Sequence, residues 1–101
     1  MSIDNRNFYA SLIRIHVLHH AAEQPIYGQW MIDELARHGY RLSAGTVYPM
    51  LHVMERSGLL TSTVAFSNGK NRRLYRATPS GRKALKVARR RVQELFGELF
   101  E

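Results

Sequence analysis

The sequence contains no cysteine, which excludes disulfides and thiolate metal sites and is compatible with a reducing cytoplasm. Long hydrophobic runs are missing too. No apolar stretch approaches the ~20 residues that span a bilayer, and Asp4, Arg6 and Arg14 interrupt the apolar residues at the start, where no signal peptide is visible. The expected location is therefore cytoplasmic, with no membrane partner. There is no glycine-rich phosphate loop, nucleophile elbow or metalloprotease spacing around Asp33, Glu34 or Glu55, so neither an enzyme nor a cofactor is expected. Acidic residues are scarce in one region above all: none occurs between Arg56 and Glu94.

What is present is a basic chain of 101 residues with net charge +7, the length of one domain. The charge is uneven. Residues 1–60 hold five basic and five acidic side chains, whereas residues 61–101 hold ten and three. A field of one sign over the later part suits a phosphate backbone.

Apolar periodicity organises the chain into helices around a short hairpin. Asp4 is a candidate cap for a first helix running to about Ala22, with Phe8, Leu12, Ile15 and His19 recurring along it and Ile13 and Val17 widening the stripe. Pro25 and Gly28 break that pattern. A second helix carries Gln29, Trp30, Met31, Ile32, Leu35 and Ala36 and stops at Gly39. Trp30 is expected in the core. After the connection Tyr40-Arg41-Leu42, Ser43 is a candidate N-cap for a third helix through about Ser57, with Val47, Met50, Leu51 and Met54 on one face and Gly58 at its end. Leu59 to Phe66 and Arg72 to Ala77 then read as two strands joined by Ser67-Asn68-Gly69-Lys70, whose Asn-Gly centre is a strong hairpin signal. Thr78 and Pro79 open a last helix running to the terminus.

Two helices joined by a tight turn and followed by a basic hairpin are the layout of a winged helix-turn-helix, mainly α with a small β-hairpin. Residues 1–78 form that DNA-binding unit, including the first helix, and residues 79–101 form a dimerisation helix. On the last helix Leu85, Ala88, Val92, Leu95 and Leu99 make a heptad-like seam along ~33 Å, longer than its own domain can cover. The expectation is a homodimer in which this seam packs on its mate and on Phe8, Leu12 and Ile15 of the first helix. The alternative is a seam folded back on its own domain.

Several segments in continuous order resemble one known family. Tyr27-Gly28, Gly45-Thr46-Val47-Tyr48-Pro49-Met50-Leu51, Glu55-Arg56-Ser57-Gly58-Leu59-Leu60 and Arg73-Leu74-Tyr75-Arg76-Ala77-Thr78-Pro79-Ser80-Gly81 are similar to the PadR regulators, over roughly half the chain. Gln29, Trp30 and Met31 depart from the aliphatic or acidic residues usual in that family, and the family's C-terminal region is often longer. The resemblance implies a DNA-binding transcriptional regulator, commonly a repressor responsive to aromatic or amphipathic compounds. It implies a phosphate contact for the Tyr48 hydroxyl, whose ring has the alternative of packing under the wing, and a helix-shaping role for Pro49.

The candidate DNA contacts follow from these positions. Ser43, Thr46, Tyr48, Pro49 and His52 lie along the third helix, which has no Arg or Lys between Ser43 and His52 and so lacks the commonest guanine reader. Lys70, Asn71, Arg72 and Arg73 belong to the wing, where they can grip phosphates or enter a narrow minor groove; Arg73 has the alternative of bracing the fold. Tyr27, Gly28 and Gln29 open the second helix, whose free backbone N–H groups can meet a phosphate. Phe8, Leu12, His16, Phe96 and Phe100 are candidate lining for a small hydrophobic or aromatic effector at the dimer interface. His16, His19 and His20 share helical spacing, but with Glu23 as the only nearby carboxylate the set is incomplete for a metal, and His38 and His52 stand apart in sequence. No metal is expected, the histidines being read as a structural or pH-responsive cluster with His19 in the interhelical stripe. Two other readings stay open: a low-specificity architectural DNA binder, and a winged-helix protein-interaction module.

Overall fold

The computed structural model describes residues 5–101, with side chains from Phe8 onward. The candidate cap Asp4 lies outside the described residues. The order is α1 (Asn5–Glu23), β1 (Ile26–Tyr27), α2 (Gly28–Arg37), α3 (Ala44–Arg56), β2 (Leu60–Ser67), β3 (Lys70–Ala77), α4 (Pro79–Phe96) and a 3₁₀ turn, Gly97–Phe100. The architecture is a winged helix-turn-helix. Among the described residues no helix is long and apolar enough to cross a membrane.

The sheet has three strands in the order β1-β3-β2, all antiparallel. The two-residue strand β1 was not anticipated: only Ile26 and Tyr27 are involved, too few for alternation to register. They pair with Tyr75 and Leu74. In the hairpin Leu60 stands opposite Ala77 and Ser67 opposite Lys70, leaving Asn68 and Gly69 as a two-residue loop. Both have positive φ, 52° and 75°, as the twist-compatible tight turn demands, and this is why Asn-Gly is favoured there.

The core lies where α1, α2, α3 and the inner face of the sheet meet. From α1 it takes Ile13, Val17, Leu18 and Ala21, from α3 Val47, Leu51 and Met54, and from the sheet Ile26, Leu60, Tyr75 and Ala77. On α1 the core thus takes the residues that widen the expected stripe and leaves much of the stripe itself outside. Phe8 and Leu12 are exposed and His19 faces Glu23 at 3.6 Å, while Ile13 and Val17 point inward. α1 is apolar on two sides, and periodicity alone does not rank them. Trp30 is not core either: it is 38% exposed, and its ring meets that of His20 edge-on.

Position 43 was correctly placed as a cap by backbone, but its hydroxyl faces Thr46 Oγ1 at 3.4 Å and makes no capping bond to an amide. Thr78 does cap. Its hydroxyl accepts from the Gly81 amide at 2.9 Å and donates to the Gly58 carbonyl, and its own amide donates to Leu59 O at 3.1 Å, fastening α4 to the α3–β2 corner. The last helix ends earlier than expected. It stops at Phe96, where Gly97 supplies poor helix propensity and the chain tightens into 3₁₀. Leu99 is thereby out of register with the seam, and Leu85 is buried in its own chain's core rather than free for a mate.

Glu34 is the buried charged residue among the described ones. Burial disfavours its charge, yet a hydrogen bond with His38 and the charges of Arg37, His20 and His38 outweigh this and hold its carboxyl below the usual value of 4.5. Burial, aided by repulsion from His20, lowers His16 below its usual 6.5 despite the nearby Glu34. In both cases the unfolded chain is the better proton acceptor. Stability is then lost as pH falls, first below 6.5 as unfolded His16 takes up protons, and again as pH falls through the depressed Glu34 value. Melting in low salt is expected at a lower temperature at pH 5.5 than at pH 7.5. A higher Tm at pH 5.5 would contradict these shifts.

Candidate nucleic-acid interface

On α3 the helical repeat turns Val47, Leu51 and Met54 inward and leaves Gly45, Pro49, His52 and Arg56 exposed along one line. Pro49 sits inside the helix without breaking it. It has no amide hydrogen to give the carbonyl of Gly45, so that carbonyl is left toward solvent. Arg56 was missed as a candidate. The spacing from His52 could have found it, because i+4 places both on one face.

The first residues of α2 join this helix to the wing. The Tyr48 ring lies directly over Gly28: a Cβ at position 28 would come within 2.5 Å of Tyr48 Cε1 and 3.0 Å of the hydroxyl oxygen. Glycine is needed there for that close approach. The ring is thus packed on the start of α2, near Tyr75 of β3, and its hydroxyl is carried to the helix end where amides lack intrahelical acceptors. Tyr27 makes no side-chain cap. Its ring instead lies under the Arg72 guanidinium, 5.4 Å from carbon to centroid, a cation–π contact worth about 0.5–1 kcal/mol at an exposed site. So Tyr27 and Gly28 receive one side chain from the wing and one from α3. Gln29 is exposed and donates to Asp33 Oδ1 at 3.0 Å.

The wing residues separate by strand face. Lys70, Arg72 and Arg76 alternate onto one side of β3 and Asn71, Arg73 and Tyr75 onto the other. Arg73 donates to Ser62 Oγ at 3.1 Å, and the Ser62 hydroxyl donates to Glu55 Oε2 at 2.7 Å. The bracing alternative for Arg73 is therefore visible in the fold, linking wing to α3. Lys70 and Asn71 are exposed at the tip. Sequence reading missed Ser62 and Glu55 because neither lies near Arg73 along the chain. Tyr75 beneath them is buried, and burial with the nearby Glu55 raises its phenol above 10.0.

Comparison with known proteins decides the family. Residues 17–87 match the transcriptional regulator PadR-like family, and the chain is 50% identical over 94 residues to Transcriptional regulator Rv3488 of Mycobacterium tuberculosis, covering 93% of this chain and 88% of that protein. The chain belongs to the PadR-like family. A PadR family transcriptional regulator from Eggerthella lenta is similar in structure, with TM-score 0.75, 30% identity and coverage of 94% and 90% of the two chains. A PadR-like regulator from Bacillus cereus shares the fold at TM-score 0.82 and 22% identity, covering 92% of each chain. This PadR-like protein is accordingly a transcriptional regulator, of a family that binds DNA and is not a family of enzymes.

The remaining expected residues are distributed as follows. Leu12 and His16 border a cleft of about 370 Å³ with His38 and Tyr40, whereas Phe96 and Phe100 border another with Ile15 and Val92. The candidate effector lining is thus divided within one chain. Ala88 and Val92 are half-buried, and Leu95 and Leu99 are exposed. The histidine set judged incomplete from sequence is corrected: α2 brings Glu34 and His38 to His16 and His20.

Proposed function

We propose that the protein is a cytoplasmic homodimeric repressor that recognises a roughly palindromic operator with half-sites about one helical turn, ~34–36 Å, apart. The observation that carries this reading is the Tyr27–Gly28 junction, where Arg72 of the wing and Tyr48 of α3 meet the open end of α2. One phosphate can there meet the Tyr48 hydroxyl and the free amides of α2 together, which fixes the exposed line of α3 in the major groove. Lys70 and Asn71 at the wing tip, with Arg72 behind them, take the neighbouring backbone or minor groove. Ser43, Thr46, Pro49 and His52 provide base-edge and methyl contacts.

Dimerisation is supported by Phe8, Leu12, Leu95, Phe96, Leu99 and Phe100, large apolar side chains without cover in their own chain. They cluster on α1 and at the end of α4. An effector wedged between these helices and their mates would change the separation of the two α3 helices and release the operator, because both heads must fit one duplex.

Selection from a pool of random duplexes at two salt concentrations tests the reading. It predicts enrichment of an inverted repeat. Uniform salt-sensitive retention would favour low-specificity architectural binding, and no retention would favour a protein partner. Tyr48→Phe is expected to weaken the selected operator about 10- to 100-fold, the loss of one hydrogen bond to a charged acceptor, with little change in Tm. Gly28→Ala should weaken it in the same direction by displacing the ring. Unchanged affinity in both variants, measured by fluorescence anisotropy, would remove Tyr48 from the interface.

A further inference from the structure

Three histidines from two helices converge on one oxygen of the buried Glu34. His38 Nε2 lies 2.9 Å from Glu34 Oε2, His20 Nε2 3.2 Å and His16 Nε2 3.5 Å. His16 Nε2 and His20 Nε2 are 3.2 Å apart. Each helix contributes a pair one turn apart, His16 with His20 on α1 and Glu34 with His38 on α2, the spacing that puts both members on one face.

The triangle formed by His16 Nε2, His20 Nε2 and Glu34 Oε2 can be hydrogen-bonded, but only with one contact set against itself. If both nitrogens carry hydrogen, the contact between them is donor against donor. If only one does, the other turns a lone pair toward the carboxylate. A cation among the three atoms resolves the conflict. In a tetrahedral zinc site with metal–ligand bonds of ~2.0–2.1 Å, ligand atoms stand ~3.3 Å from one another, and these three are separated by 3.2–3.5 Å.

The surroundings resemble those of a metal site. His20 has its other nitrogen, Nδ1, 3.7 Å from Glu23 Oε1, an ion-pair distance from which a small rotation brings the carboxylate–histidine bond that orients a ligating imidazole. His38 and Arg37 hold Glu34, with Arg37 Nε 3.5 Å from Oε1. The cleft bordered by Leu12, His16, His38 and Tyr40 gives a path from solvent. From this geometry we infer that His16, His20 and Glu34 bind a divalent transition metal such as zinc, leaving a fourth position open, with His38 positioning the carboxylate. Imidazole donors select this class over magnesium or calcium. The bound ion ties α1 to α2, and the inference rests on none of the DNA-binding assignments.

Trp30, the single tryptophan, has its ring centroid 5.1 Å from that of His20 and is a built-in reporter. The test titrates the chelator-treated full chain with Co²⁺, following Trp30 quenching, and with Zn²⁺ by calorimetry. One ion per chain is expected, with micromolar or tighter affinity, Zn²⁺ reversing the Co²⁺ quenching, and Tm raised by roughly 11–22 °C at a hundredfold excess over Kd. His16→Gln and Glu34→Gln should weaken binding by at least about 100-fold and His38→Gln by about 10- to 100-fold, whereas His19→Gln should not. His16 is only half-buried, so its variant remains informative if Glu34→Gln fails to fold; circular dichroism in chelator checks each. Absence of binding by the wild-type chain would overturn the inference. So would loss of binding in His19→Gln with retention in His16→Gln, which would move the ion to the exposed His19, His20 and Glu23 set.

Discussion

Replacing Lys70 and Arg72 together by alanine is expected to weaken binding to every duplex by about 30-fold at 0.15 M salt, because each phosphate contact contributes a salt slope of about 0.9. The slope of log affinity against log salt should fall by about 1.8. Discrimination between operator and unrelated DNA should change far less, since phosphate contacts position the protein and base contacts specify the site. Lys70 is exposed at the tip, and Arg72 rests on Tyr27 with its charge still accessible to a backbone. Arg73 is left in place because its bond to Ser62, and through it to Glu55, braces the wing against α3. Titrations at three salt concentrations measure both quantities. An unchanged slope would show that the wing stands away from the DNA.

The largest expected effect on stability comes from a methyl group. In Gly81→Ala the new Cβ would collide with the Leu59 carbonyl oxygen, and Leu18 lies just beyond. That carbonyl is backbone, already bonded to the Thr78 amide, and it cannot swing aside as a side chain would. The corner must open, at a cost of about 3 kcal/mol, or roughly 12–24 °C in Tm for a domain of this size. Gly97→Ala is the matched contrast. No atom lies within 4 Å of its added Cβ, and its φ of −57° is already helical, so Tm should hold or rise slightly. Equal melting of wild type and Gly81→Ala would mean that the junction of α3, β2 and α4 is not close-packed.

The elements easiest to read from sequence were those set by local chemistry. Asn68-Gly69 specified its turn, Thr78-Pro79 its helix start, and Val47, Leu51 and Met54 the inward face of α3. Readings that depended on which of two surfaces wins were less secure. α1 is apolar on two sides, and only the packed chain shows that Ile13 and Val17 face inward while Phe8 and Leu12 do not. The end of α4 turned on a single glycine. Tyr48 and Arg72 were visible as candidates, but their meeting at Tyr27 and Gly28 was not, because it brings together β1, α3 and β3. The same holds for His38 and Glu34, which reach His16 and His20 only once α2 packs across α1.

Whether the Tyr27–Gly28 junction meets DNA can be read from the amide NMR spectrum of the ¹⁵N-labelled protein, free and with its selected operator duplex. The largest shifts are expected at the amides of Gly28 and Gln29, along Ser43 to His52, and at Gly69 to Arg72, with the Tyr27–Gly28 junction responding together with the wing. Shifts confined to α1 and the end of α4, with Gly28 and the wing unmoved, would contradict that contact.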